Sequence, residues 1–235
     1  MNKKVLILSL AYEKYPYGEM VATAMNTWDS IEVEDCETVF YFGSSSKKSD
    51  AKNIYLPIEE GLFNMGRKTL LALEWALNNK EFDYILRPHS CIYVDKKELI
   101  KYIQDLPDIG IFGGVKVERK EKFDFIWGGT GFIFSRDIVK TLVDNKHLLG
   151  ITHMEDEEVT LLASNLGIPF FNFNKSCSID RKDNWWACIS YCEKSKIFSD
   201  FSDLKGLGHI NYRVKQDGNR AVDKLLMEKL YNALK

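Results

Sequence analysis

The sequence predicts an α/β fold in a single domain, a mixed sheet flanked by helices, on three observations. Residues 5–10 (VLILSL) are a short continuous apolar run, the pattern of a strand buried on both faces. Residues 62–78 carry Leu70, Leu73 and Leu77 at the helical period, with Lys68, Glu74 and Asn78 on polar positions. Strand-like and helix-like stretches alternate through the first half, and the second half mixes in pieces suited to antiparallel pairing. At 235 residues the chain can bury one substantial core.

The elements follow in order. After the first strand comes a loop with Tyr12, Tyr15, Pro16, Tyr17 and Gly18, then a helix over 19–28. Strands are expected at 38–42 and 53–56, around a polar loop at 44–50. After the helix at 62–78, a strand at 84–86 runs into Arg87-Pro88, where proline cannot donate to a ladder and the strand must end or turn. Asp95 with Glu98 three residues on reads as a capping box that opens a helix to about Gln104. Strands at 109–112 and 131–134 flank a charged loop or hairpin at 116–122. Helices follow at 137–144 and at 155–166, the latter with Val159, Leu162, Ala163 and Leu166 on one stripe and Gly167 and Pro169 closing it. A strand is expected at 169–173 and a terminal amphipathic helix at 218–235; the stretch 176–208 has weak periodicity.

Composition narrows the function. Charged residues at 28% and a formal net charge of −2 leave no global basic footprint, so a nucleic-acid partner is unsupported by net charge. The five cysteines (36, 91, 177, 188 and 192) are odd in number and lack paired metal spacing, which suits a reduced, intracellular chain. The opening has two lysines and the apolar run 5–8, too short for a signal peptide, and no stretch approaches the roughly 20 apolar residues of a membrane span.

In open α/β sheets ligands bind beyond the carboxyl ends of strands. Three places qualify: the loop at 9–17 with Ser9 and Tyr12, the turn after 84–86, and the loops around Trp127 and Glu155. Trp127-Gly128-Gly129-Thr130-Gly131 offers a ring for a sugar's apolar face and a backbone that a ligand can approach closely. No Gly-Lys-Ser/Thr follows, so it is not a phosphate-cradling loop of nucleotide hydrolases. Four acidic residues at 155–158 suit a helix N-terminus and also supply carboxylates for chemistry. Trp185, Trp186 and Tyr191 suit either a lid or the core.

Taken together, Asn26-Thr27-Trp28, Val39 to Gly43 (VFYFG), Lys68-Thr69 with Trp75, Tyr84 to Asp95 (YILRPHSCIYVD), Gly128 to Ser135 (GGTGFIFS) and Glu155 to Thr160 (EDEEVT) resemble, in order and spacing, the β-1,3-galactosyltransferase and Fringe superfamily of glycosyltransferases. The resemblance covers roughly residues 1–170. It implies a glycosyltransferase-A-like, Rossmann-type mixed sheet, with a nucleotide-sugar-binding half at 1–110 and an acceptor-binding half at 111–235. It implies inverting transfer from a nucleotide diphosphate sugar, UDP-linked as in the family, to a saccharide or other hydroxyl acceptor. Asp156 matches the family's base and Glu155 its neighbour that orients the acceptor. Ser9, Tyr12, Lys68, Arg87, His89, Ser90, Cys91, Arg213 and Lys215 fall to the donor, and Trp127, Gly128 and Gly129 to the acceptor. Lacking the membrane anchor and stem of eukaryotic members, the chain is expected to be a cytoplasmic enzyme of microbial or viral origin.

One departure is large. The family's three aspartates, which hold manganese against the leaving diphosphate, are here His89-Ser90-Cys91. The family's arginines before its Thr-Trp pair are also absent, with Val21 and Met25 in that region. Hard cations such as Mn2+ suit oxygen ligands, not an imidazole and a thiol. Three arrangements answer the departure: a metal-free site with Arg87, Arg213 and Lys215 on the diphosphate, a softer metal on His89 and Cys91, or a repurposed domain without catalysis. His209, in GHINYRVK, matches a late histidine that family members bring to the metal. Surface polysaccharide is the default acceptor, with a hydroxylated base of viral DNA as the alternative. A non-catalytic sugar- or nucleotide-binding domain is the alternative function, and a two-metal phosphate enzyme lacks its acidic cluster.

Overall fold

The computed structural model describes residues 2–44, 46–118, 123–150, 154–173, 175–182, 185–190, 196–216 and 220–235, with side chains given outside 180–190 and 196. The elements are β1 (Val5–Leu10), α1 (Tyr17–Asn26), β2 (Cys36–Gly43), β3 (Asn53–Leu56), α2 (Met65–Asn79), β4 (Tyr84–Arg87), β5 (Ile92–Val94), α3 (Lys96–Gln104), β6 (Phe112–Gly114), β7 (Lys116–Val117), β8 (Phe125–Ile126), β9 (Phe132–Ser135), α4 (Arg136–Asp144), α5 (Glu155–Asn165), β10 (Phe171–Asn172), β11 (Ser176–Lys182), β12 (Trp185–Ser190), β13 (Lys196–Phe198), β14 (Asn211–Arg213) and α6 (Ala221–Leu234).

The central sheet has seven strands in the order β10-β6-β9-β4-β1-β2-β3. Pairing is parallel from β4 through β1 and β2 to β3, while β9 runs antiparallel to both β4 and β6. This is the expected mixed α/β sheet. The alternation of β1 shows why its sequence is apolar throughout: Val5 and Ile7 pack with α1, α3 and α6, whereas Leu6, Leu8 and Leu10 pack with α2, α4 and α5. Each face of the sheet is thus covered by its own helical layer.

A second sheet, in the order β13-β12-β11-β14-β5, packs on the α1 and α6 side. Sequence periodicity misses it because its strands are specified by pairing with distant partners, β14 with β5 and with β11, rather than by local pattern. Strand β5 is what places the site. Directly after β4 turns at Pro88, the chain crosses from the central sheet to the second one, so residues 88–91 lie at the junction of the two. Leu10 N–H donates to Pro88 O at 2.9 Å and Ser90 N–H to Leu10 O at 3.1 Å, which locks the turn to the end of β1.

Several boundaries move, for physical reasons. The helix expected at 62–78 opens with a 3-10 turn at Leu62–Asn64 before α2 begins. The strand expected at 109–112 starts only at Phe112, because Gly110 bends the chain at φ +77°. The charged stretch at 116–122 is in part a hairpin arm, β7 pairing antiparallel with β8. Asp95 caps α3 as expected, accepting from Glu98 N–H at 3.1 Å. No helix among the described residues is long and apolar enough to cross a membrane.

Candidate active site

A cleft of about 400 Å³ opens beyond the carboxyl ends of β1 and β4, where ligands bind in such sheets. Its walls bring together Tyr12, Lys68, His89, Ser90, Cys91, Trp127, Gly128, Gly129, Glu155, Asp156, Arg213 and Lys215. Residues singled out in widely separated stretches of sequence therefore share one concavity.

Asp156 is the carboxylate best placed for chemistry. It lies in the first turn of α5, where the helix dipole favours negative charge. Its Oδ2 accepts from Gly128 N–H at 3.3 Å and its Oδ1 from Glu157 N–H at 3.1 Å. Burial raises its pKa above the ordinary aspartate value, opposed by those backbone donors and by Arg87. Helix α5 is held against the Trp127 loop by Ile126 N–H, which donates to Thr160 Oγ1 at 3.1 Å.

Glu155, on the cleft wall, is paired with Arg87 behind it. Both are almost fully buried, and Arg87 Nη2 stands 2.8 Å from Glu155 Oε2. The contact is an ion pair rather than an aligned hydrogen bond, since Arg87 Nε and Nη2 are buried without hydrogen-bond partners. The guanidinium also lies on the Phe132 ring, 4.3 Å from its centroid. Glu155 Oε1 accepts from the Thr69 hydroxyl, which pairs in turn with Tyr41. Burial pushes the Glu155 carboxyl up, against the pull of Arg87. Both Glu155 oxygens thus meet protein partners, and Arg87 sits behind the cleft wall rather than in it. Arg87 therefore does not line the cleft where the diphosphate contact is expected, and Glu155 lines it with Oε2 near Arg87 and Oε1 on Thr69.

At the other end, Tyr12, Tyr17 and His89 form a chain of rings, with centroids 6.1 Å and 5.3 Å apart. Burial holds the half-buried His89 far below the ordinary histidine value, at about 3, with Arg87, Arg213, Lys215 and Arg220 pressing the same way. It is neutral at physiological pH. Arg213 stacks on the Trp127 ring at 4.9 Å and, with Lys215, puts positive charge on the cleft wall. Lys68 does not add to that charge. Its Nζ reaches Glu60 Oε1 and Oε2 at 2.7 and 2.8 Å and Ala11 O at 2.7 Å, so Glu60 neutralises it.

Besides Arg87, two expected residues are not brought to the cleft. Ser9 remains inside β1, fully buried and paired in the ladder with Phe40, so Leu10, Ala11 and Tyr12 line the cleft instead. His209 lines a separate depression with Asp95, Glu98 and Tyr212, and its ring edge meets Tyr212 at 5.8 Å. Trp185 and Trp186 lie outside the described side chains, and Tyr191 outside the described residues.

Tyr17, from the expected loop at 9–17, also lines the cleft, and so do residues that the sequence reading passed over: Glu60, Leu62, Met65 and Met154. Glu60 could have been found, because it follows β3 at a strand's carboxyl end. Leu62 and Met154, 51% and 42% exposed, form an apolar rim whose signal is only visible once the two loops meet.

The donor set at the turn does not fit a hard divalent cation. Cys91 is buried, which raises its thiol pKa, and His89 Nδ1 accepts from Cys91 N–H at 3.3 Å. Among the described residues, no three His, Cys, Asp or Glu side chains converge on a point that could hold a metal.

No protein-family description matches the chain, and no curated protein does. Among solved structures, a glycosyltransferase involved in the glycosylation of the major capsid of PBCV-1 superposes with a TM-score of 0.56 at 13% identity, over 96% of this chain and 98% of that one. Looser likenesses, which carry no argument, include 2-C-methyl-D-erythritol 4-phosphate cytidylyltransferase of Thermus thermophilus (TM-score 0.48, 8% identity, 97% and 100% covered) and the glycosyltransferase GlyE of Streptococcus pneumoniae (TM-score 0.43, 12% identity, 75% and 46% covered). The chain has a glycosyltransferase-like α/β fold.

Proposed function

We propose that the protein is an inverting glycosyltransferase that moves a sugar from a nucleotide diphosphate donor, UDP-linked, to a hydroxyl acceptor. One observation carries this reading: the buried carboxylate of Asp156, fixed by Gly128 N–H, shares a cleft with the cations Arg213 and Lys215. In the proposed reaction Asp156 takes the acceptor hydroxyl's proton as that oxygen bonds to the anomeric carbon. The bond from that carbon to the diphosphate oxygen breaks in line, and UDP departs with the electron pair. A raised carboxyl pKa makes Asp156 a stronger base than an exposed aspartate.

Arg213 and Lys215 offset the charge that develops on the diphosphate, the part a metal plays in the family resembled. Tyr12 and Tyr17 give the nucleobase an aromatic wall. Trp127, Gly128, Gly129 and the rim of Leu62 and Met154 suit the apolar face of a saccharide acceptor. Glu155, on the same wall, fixes α5 and Arg87 behind the base.

D156N tests the reading. Loss of UDP release, with folding and UDP binding retained, supports catalysis by Asp156. Retained turnover in D156N removes it from the role, and wild-type binding without any turnover over an acceptor panel supports a non-catalytic binding domain instead.

A further inference from the structure

The donor end of the cleft is walled by two segments far apart in sequence: the turn at 89–91 and the stretch of β14 and beyond that carries Arg213 and Lys215. The β5–β14 ladder sets their register and ends beside the turn. Arg213 pairs with Ile92, and Val214 N–H donates to Cys91 O at 3.0 Å. Beyond Val214 the second segment leaves the sheet, and Lys215 lies past that last rung.

Among the described residues, one side chain bridges the two segments. Arg220, just before α6, points its guanidinium back at the turn. Its Nε donates to Asp223 Oδ2 at 2.5 Å, its Nη2 donates to Cys91 Sγ at 3.0 Å, and its face lies 5.1 Å from the Tyr17 ring centroid. Cys91 and Tyr17 are both cleft-lining residues. Asp223 is fully buried, and its other oxygen accepts from Gln216 N–H at 2.8 Å, so the segment just after Lys215 is tied to the same carboxylate. An exposed ion pair of this spacing on a helix contributes little to holding a segment in place. Here the carboxylate is buried and capped, and the guanidinium uses an edge, an end and a face on three partners. Only arginine has that planar fork; lysine offers a point charge.

We propose that Arg220, anchored by Asp223, is a positioning residue for the donor diphosphate: it fixes the His89–Cys91 turn against the segment bearing Arg213 and Lys215. This rests on the donor reading of the cleft. Arg220 acts through Cys91 and through the Asp223–Gln216 link. Tyr17 is also supported by the Tyr12 and His89 rings, so the effect falls on the diphosphate more than on the nucleoside.

Calorimetric titration of UDP and of uridine into wild type, R220K and R220Q tests it. R220Q is expected to lose about tenfold in UDP affinity while uridine changes by less than about twofold. R220K, which keeps the charge and loses the fork, is expected to fold and to lose at least about threefold in the UDP-to-uridine ratio. It is read alone if R220Q does not fold. An unchanged ratio in folded R220K overturns the proposal and leaves the donor site standing. Wild type that binds neither ligand overturns the donor reading itself, and this proposal with it.

Discussion

The backbone N–H of Gly128 donates to Asp156 Oδ2 at 3.3 Å, and a side chain at Gly128 would have no room there. A Cβ at that position would lie 2.9 Å from Arg87 Nη2 and 3.2 Å from Asp156 Cβ. The glycine is therefore the piece that lets the proposed base, the acceptor loop and the buried cation meet. G128A is predicted to cost about 1–3 kcal/mol of stability, as overpacked sites do, and to lower turnover further by displacing Asp156. Urea unfolding and UDP-release rates on the same preparation check both parts.

Asp156 should govern the acidic limb of the activity profile. Its pKa is raised by burial, so kcat/KM is expected to rise with pH and level off above a midpoint higher than that of an ordinary aspartate, about 3.9. D156N is predicted to lower kcat by about a hundredfold or more, the usual range for a general base. Because a raised carboxyl pKa costs stability once the group is ionised, D156N should melt no lower than wild type at neutral pH.

The Arg87–Glu155 pair predicts non-additive stability. Removing one partner leaves the other charge buried, so R87M or E155M alone should cost about 3–5 kcal/mol. The double variant R87M/E155M should cost much less than the sum of the single changes. A double-mutant cycle by chemical unfolding measures the coupling, and additive costs would mean that the pair is not the unit described here.

His89 predicts a stability slope in mild acid. Its folded pKa is depressed to about 3, whereas an unfolded histidine takes up a proton below about 6.5. The unfolded chain therefore binds more protons across that window, and this contribution to stability is lost as pH falls from 6.5 towards 3. Melting temperature against pH should fall less steeply in H89Q than in wild type. The same group should leave no inflection in activity near pH 6–7.

Much of the central sheet was legible because each strand there carries its own signal. The run VLILSL reads as doubly buried without reference to any neighbour, and Asp95 with Glu98 announces its helix locally. The second sheet was not legible, since Ile92–Val94 becomes a strand only by pairing with Asn211–Arg213 more than a hundred residues away. Site residues divide the same way. Asp156, Trp127 and the glycines are marked by a local motif and by their place after strands. Arg87 could be recognised as special but not as buried, because its ion pair with Glu155 depends on how α5 lies over β4. Glu60 is marked in sequence only by its place after β3, and its pairing with Lys68 is not; Arg220 shows nothing unusual in sequence, and only its partners Cys91 and Asp223 give it meaning. His209 went the other way, marked by its motif yet folded into a different depression.

The central claim is a cleft that binds a nucleotide diphosphate sugar with protein cations in place of a metal. Thermal shift with UDP and a panel of UDP-sugars, each in EDTA and in manganese, tests it most directly. The account predicts that UDP and at least one UDP-sugar raise the melting temperature equally in both buffers, and that R213Q abolishes most of the rise. Stabilisation that appears only with manganese, or none with any nucleotide, would contradict it.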